Sequence, residues 1–458
     1  MKEILFFGIT LLSIQICTAM PSYSAMTNED ILKRIEELST TINKQQEEIE
    51  QLKQELEKQN RKTYDTIDEQ KNESSGRDGK SEDVKWHDYI PEWVRRIQVS
   101  GDLRLRYEGR FNRGRVADGY ISDLPDRHLY RLRARLFFDG HITDGLSAHL
   151  MICTNQDENK EATTTNQSFN DDFSDKGIYL HRAYATYKPA WLKGLEITAG
   201  KFKNTFFYTD IIFDPDVNPE GINEKFSYLR WESFTPFIHL GQMVLNEENL
   251  ETDDAALYIY QAGFVWKIGP VKWALAGSYY DWSNLQSSEF LHTSSYKGGG
   301  GNTFILDEDG ILQYQYDYEL WEGITSLSFS IGPIPINIIF DYVINMADDV
   351  PRDEDSAFFI GLKLGREELR GDYSIFYKYA HIEKNAVVGS LNDQDFYGAN
   401  RKGHKLTFNY MIFKRLKVGI SYFHTKPESK WDINSITYEK NKDRQREDRL
   451  QGDFIFKF

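Results

Sequence analysis

Cysteine is almost absent from this chain: its 458 residues hold two, Cys17 and Cys153. Cys17 lies in an apolar N-terminal stretch, so the rest of the chain keeps one thiol. That excludes an intrachain disulfide framework and a cysteine-based metal site. Ile14, Gln15 and Ile16 are not the small residues that precede a lipid-modified cysteine. Long apolar runs are also missing. The one at 4–16 is about 13 residues, short of the ~20 that a spanning helix needs. With Lys2 before it and small residues at 22–25 after it, it reads as a secretory signal peptide, 1–25. An excess of positive charge is lacking too. Lys plus Arg number 55 against 71 Asp plus Glu, a net charge of -16, which repels phosphate backbones and excludes a nucleic-acid partner. HExxH, GxSxG and P-loop patterns do not occur, so no catalytic residue, metal or cofactor is expected. The glycines at 298–301 follow no strand-to-helix pattern and read as flexibility.

What the chain has in quantity is aromatic side chains. They make up 14% of it, although the hydrophobic total is 40% and the mean hydropathy is -0.58. A transmembrane β-barrel combines these values, because every second residue faces lipid and aromatic girdles sit at both interfaces. A membrane protein without spanning helices must be a closed barrel.

After the signal the sequence falls into three regions. From 26 to 62, Ile35, Ile42, Ile49 and Leu56 recur every seven residues, with Ile31, Leu38 and Leu52 at the partner positions and Gln45 and Gln59 in the same register. This is a coiled-coil seam, long enough to reach roughly 50 Å. The bland alternative is one amphipathic helix lying on the chain's own barrel. Ile at a with Leu at d favours dimers in simple peptides, and the two glutamines weaken that rule. The expectation is a homo-oligomer, a trimer included. Residues 63–96 are rich in Asp, Glu, Ser, Gly and Lys, a flexible linker.

From 97 to 458 the period is two. Ile97, Val99, Leu103, Leu105 and Tyr107 alternate with Gln98, Ser100, Asp102, Arg104, Arg106 and Glu108. The pattern predicts about 16 strands: 97–108, 128–139, 145–154, 177–188, 194–202, 224–232, 235–245, 255–268, 271–282, 319–332, 334–345, 355–365, 369–382, 402–413, 415–426 and 447–458. Short links such as Gly269-Pro270 and Lys414-Arg415 alternate with long ones at 109–127, 155–176, 203–223, 283–318, 383–401 and 427–446. Short turns at one end and long loops at the other is the layout of outer-membrane barrels, with the long loops outside. An even strand count then puts both chain ends, and the coiled coil, in the periplasm. The last strand is apolar on one face (Leu450, Phe454, Phe456) and ends the chain in Phe458. It resembles the signal by which the outer-membrane insertion machinery recognises its clients.

Several blocks resemble the family of bacterial outer-membrane porins with an N-terminal coiled coil: Gly101 to Glu108, Tyr130 to Arg135, Ala183 to Pro189, Ala199 to Asn204 and Asp214 to Gly221. The resemblance implies an all-β transmembrane antiparallel barrel in the outer membrane of a Gram-negative bacterium, preceded by the α-helical segment, and a porin's function. It supplies no substrate.

The lumen carries the candidate site. Arg104, Arg106, Arg131, Arg133 and Arg135 fall on the predicted inner faces of two adjacent strands, a basic ladder lining the pore. Asp102, Glu108 and Asp139 are candidate partners, which would make the ladder a structural salt-bridge network instead. Loop 203–223, with Asp210, Asp214, Asp216 and Glu220, is expected to fold inward and face the arginines across the pore. The transverse field would tune which small hydrophilic solutes or ions diffuse through. Asp214-x-Asp216-x-Asn218 lacks the Gly and Glu of an EF-hand loop, having Pro219 and Lys225 at those places. Loop 155–176 is expected to be solvated and outside, near lipopolysaccharide. His149, His181, His239 and His404 suit lumen or girdle roles. Expected partners are outer-membrane lipid and lipopolysaccharide, the insertion machinery, further copies of the chain, and small hydrophilic solutes. The alternative reading is a cell-envelope tether or surface adhesin built on a barrel.

Overall fold

The computed structural model describes residues 95–458 except 112–113, 118–119, 124, 156–160, 170–171, 230, 247–253, 287–298, 307–311, 397 and 429–446. The signal peptide, the coiled-coil seam (Ile35, Leu38, Ile42, Ile49, Leu52, Leu56) and the linker up to residue 94 lie outside the described residues. All described residues belong to the unit Ile90–Phe458.

Alternating apolar and polar residues make each strand two-faced, and sixteen such strands form the wall. They are β1 (Ile97–Phe111), β2 (Arg127–Thr143), β3 (Leu146–Thr154), β4 (Ile178–Tyr187), β5 (Leu195–Lys201), β6 (Glu220–Ser227), β7 (Phe234–Val244) and β8 (Ala256–Ile268). Then follow β9 (Val271–Ser283), β10 (Glu319–Ile331), β11 (Ile334–Asn345), β12 (Ser356–Gly365), β13 (Tyr373–Ile382), β14 (Arg401–Phe413), β15 (Leu416–Pro427) and β16 (Glu447–Lys457). Each pairs antiparallel with its predecessor, and β1 also pairs with β16, from Asp102↔Lys457 to Phe111↔Asp448. The sheet is therefore closed and has no edge, so the wall's backbone donors and acceptors meet inside the protein.

The strand faces follow the period of two. On β1, Val99, Leu103 and Leu105 point outward and are exposed, while Asp102, Arg106 and Glu108 are buried inside. Exposed Leu150, Leu180, Ile238, Ile338, Ile360, Phe408, Ile420 and Phe454 continue the outer surface. An apolar band around the whole molecule far exceeds the few hundred Å² that a soluble protein exposes, and lipid is the solvent that suits it. Aromatic rings rim both ends. Trp266 and Trp273 stack near the short turns, and Tyr260, Tyr279 and Trp321 cluster toward the long loops.

Two expectations need correction. The strand expected at 224–232 is Glu220–Ser227. Pro219 ends the preceding loop, its carbonyl accepting the Phe202 amide at 2.9 Å, and pairing starts at the next residue. The second correction concerns the interior, which is not polar throughout. Over the outer half of β8 to β13 most inward side chains are apolar, among them Leu257, Ile259, Tyr280, Trp282, Leu320, Val343 and Phe359, with Glu322, Asp341 and Lys378 buried between them. They pack against loop residues inside the barrel, among them Phe206, Ile211, Phe213, Val388, Leu391 and Phe396. Long loops fill one side of the lumen because both the strands and the loops have apolar surface to bury there.

Candidate functional site in the barrel lumen

The site forms where β1, β2 and β16 carry polar residues inward. Register places Arg104 opposite Arg133 and Arg106 opposite Arg131. So many guanidiniums in one wall require counter-charges, and the structure supplies them from both the wall and the loops. Asp102 accepts from Arg133 at 2.8 Å and from Arg135 at 2.7 Å. Asp453 on β16 accepts from Arg106 at 2.7 and 2.9 Å. Glu108 takes Arg110 at 2.7 Å and lies 3.6 Å from Arg131. Asp139 pairs with His149 at 2.6 Å instead of an arginine.

Loop 202–219 crosses the interior. Phe207 exchanges hydrogen bonds with Gln261 of β8, at 2.9 and 2.8 Å. Thr209 donates to Asp341 of β11 at 2.6 Å. Asp210 accepts from Lys378 of β13 at 2.7 Å. The chain then turns back, and Asp216 reaches Arg135 at 3.6 Å. Asp214 accepts the Asp216 amide at 2.8 Å and donates its own amide to the Leu391 carbonyl at 2.8 Å. Burial pushes the Asp214 carboxyl well above the usual carboxylate range, and the nearby charges of Asp216 and Asp393 push the same way. Burial acts on Asp216 too, but Arg133, Arg135 and Arg104 hold its carboxyl below the usual range.

Glu220 does not belong to this group. It is the first residue of β6, on the face of exposed Ile222 and away from buried Asn223, and it pairs with Lys201 at 2.6 Å. The loop ends at 219, four residues earlier than the sequence pattern suggests.

Sequence reasoning missed two further loops. Residues 161–169 were expected among solvated outer loops, yet this segment lies against the arginine wall. The two-residue strand Gln167–Ser168 pairs with Leu132 and Arg131. Asn166 accepts from Arg104 at 2.5 Å, and Thr165 donates to Asp216 at 3.2 Å. Threonine and asparagine there, between acidic flanks, were the available signal. Loop 383–400 is the other. Its Asp395 accepts from Arg449 at 2.7 Å and Arg106 at 3.2 Å, and its Asp393 accepts from Lys378 at 2.9 Å. A lysine on the inner face of β13, next to Phe376, Ala380 and Ile382 in the alternation, was the hint that acids would meet it.

These parts enclose a cavity of about 790 Å³, lined by Arg104, Arg106, Arg131, Arg133 and Arg449 of the wall and by Asp210, Asp214, Asp216, Asp393 and Asp395 of the loops, with Asp395 in contact with two of the arginines. Lys363, Lys405, Lys417 and Glu367 line it as well. Burial works against the charge on Glu367, but Lys417, Ser374 and Lys363 hold its carboxyl down at about 2. Among the described residues no cluster of three metal-ligating side chains occurs. His149 and His181 face the lumen, bonded to Asp139 and Asn218; His239 stacks on Phe206 inside; His404 lies between outer Tyr377 and Tyr379.

A family model described as "Putative porin" matches residues 120–299 and 314–436, more than half of the chain. The chain belongs to this porin family. It is an outer-membrane porin, and its closed sixteen-strand barrel agrees with that. Among solved structures the porin is similar to OprB of Pseudomonas putida, with a TM-score of 0.51 at 12% identity over 81% of this chain and 97% of that one. That likeness shows a shared fold. The outer membrane protein OmpT of Vibrio cholerae, in a trimer form, matches with a TM-score of 0.45 at 11% identity over 79% of this chain and 99% of that one. A triple mutant of the Rhodopseudomonas blastica porin matches at 0.41 and 9% identity, over 79% of this chain and 100% of that one. No curated protein matches the sequence.

Proposed function

We propose that this porin lets small hydrophilic solutes and ions diffuse through a lumen narrowed by its own loops. In this reading Arg104, Arg106, Arg131, Arg133 and Arg135 line the pore, and Asp210, Asp214 and Asp216 of the inward loop set the opposite potential. The observation that carries the reading is the 790 Å³ cavity lined by both wall arginines and loop carboxylates. Opposed charges across a gap order water and dipolar solutes, and so tune passage without any energy source. Phe458 acts as the insertion signal, and the segment 26–62 joins copies of the chain through its heptad seam on the periplasmic side.

Planar-bilayer recording tests the channel. The expected result is an open, ohmic current; a sealed barrel would leave the tether or adhesin reading. Replacing Arg131, Arg133 and Arg135 with Ser together moves the reversal potential in a salt gradient toward cation preference. An unchanged reversal potential would make those residues purely structural.

A further inference from the structure

The lumen arginines are not equally satisfied. Arg133 and Arg135 share Asp102, Arg106 grips Asp453 through two bonds, and Arg449 meets Asp395. Arg104 and Arg131 differ. The side-chain bond of Arg104 goes to the neutral amide oxygen of Asn166, and among the described residues no carboxylate lies within ion-pair distance of it. Arg131 is 7% exposed and meets a carboxylate only at 3.6 Å, from Glu108, beyond hydrogen-bond reach. The Nε atoms of both lack an acceptor. Register makes the two diagonal neighbours on β1 and β2, an arrangement that sets residues about 7–8 Å apart. Both line the cavity, beside Thr163 and Thr164.

We propose that Arg104 and Arg131 form a subsite for the carboxylate of a small organic solute in transit. The proposal rests on the porin reading above and names the solute class for it. A planar guanidinium offers paired donors that match a carboxylate in shape and charge. Phosphate matches the fork as well, but the loop acids lining the same cavity repel a dianion more strongly than a single charge. Those same acids attract an ammonium group, so a zwitterion meets complementary charge for both of its ends.

The test is a bi-ionic measurement with the full-length porin in planar bilayers, potassium chloride on one side and potassium acetate or potassium phosphate on the other. The wild type is expected to pass acetate more readily than phosphate, and phosphate preference would overturn the proposal without any variant. In the double variant Arg104→Gln, Arg131→Gln the acetate-to-chloride permeability ratio should fall about tenfold, as the loss of a hydrogen bond between charged groups does. Arabinose entry into proteoliposomes marks an open barrel. A porin that admits arabinose but keeps its acetate ratio in the double variant sinks the subsite and leaves the porin reading standing. A wild type that passes neither ions nor arabinose sinks both. If the Gln pair fails to assemble, Arg104→Lys, Arg131→Lys keeps the charge and loses the planar fork. It should then lower the ratio partway, and an unaltered ratio counts against the site.

Discussion

Lys378 is wholly buried in the barrel, 2.7 Å from Asp210 and 2.9 Å from Asp393, with the Phe396 ring 4.5 Å from its ammonium. It ties two loops to one strand. Removing one member of a buried ion pair costs roughly 3–5 kcal/mol, because the partners stay buried without a counter-charge. Lys378→Met is therefore expected to free loops 202–219 and 383–400 from β13. Single-channel recording should show a larger and noisier conductance; native conductance would mean the loops hold without it. Asp214 makes a second prediction at this scale. A carboxyl held above its ordinary range is the first to take a proton as pH falls, whereas Asp216, held below it, stays charged. Asp393 and Asp395 face the same cavity, and Arg106 and Arg449 hold Asp395 ionised against its burial. As the pH falls, Asp214 therefore loses its charge at a higher pH than Asp216, and that loss moves the reversal potential toward anion preference. Asp214→Asn should lack that part of the shift.

At the scale of elements, closure of the barrel depends on how the last strand meets the first. Gly101 and Phe458 exchange backbone hydrogen bonds, both at 3.1 Å. A Cβ at position 101 would stand 2.5 Å from the Phe458 ring and 2.7 Å from the Arg135 carbonyl. The exposed Phe458 ring can swing aside, but the ladder carbonyl of Arg135 cannot give way cheaply. Gly101→Val is expected to lower the yield of folded barrel sharply, read as loss of the heat-modifiable band on a gel. Gly452→Ala on β16, where a Cβ meets nothing within 4 Å, is the matched control and should assemble normally. The loops are the other elements with structural weight. Among the described residues, 161–169 is held inside the wall by the arginine face, whereas 202–219 and 383–400 meet both that face and the apolar face with Lys378.

At the scale of the whole molecule, the outer surface is divided into an apolar belt and two aromatic rims, which fixes the porin's place in a bilayer. The interior is divided the other way, with an apolar packed side and a charged open side, so the cavity is off-centre. Assembly belongs to this scale as well. Deleting 27–62 is expected to lower the oligomer mass measured by native mass spectrometry while leaving conductance per barrel in place. An oligomer of unchanged mass would assign assembly to the barrel wall alone.

Most of the fold was legible because a barrel wall repeats one rule. Inside and outside alternate residue by residue, and lipid on one side tolerates few errors, so the faces of Leu103 and Arg104 can be read from the sequence alone. The strand at Glu220–Ser227 was misjudged where the alternation is weakest and Pro219 sets the start. The arginine faces of β1 and β2 were legible for the same reason as the wall. Their partners were not. Asp453, Asp395 and Asn166 are separated from those arginines by 62 to 347 residues, and only closure of the sheet and inward folding of loops bring them together. Sequence by itself therefore determined the class, the membrane and the two-faced wall, since each follows from local periodicity. Tertiary structure alone decided which loops enter the lumen, which arginines find a carboxylate and which two are left to meet a solute. Those outcomes depend on long-range packing of apolar surface that no local pattern encodes.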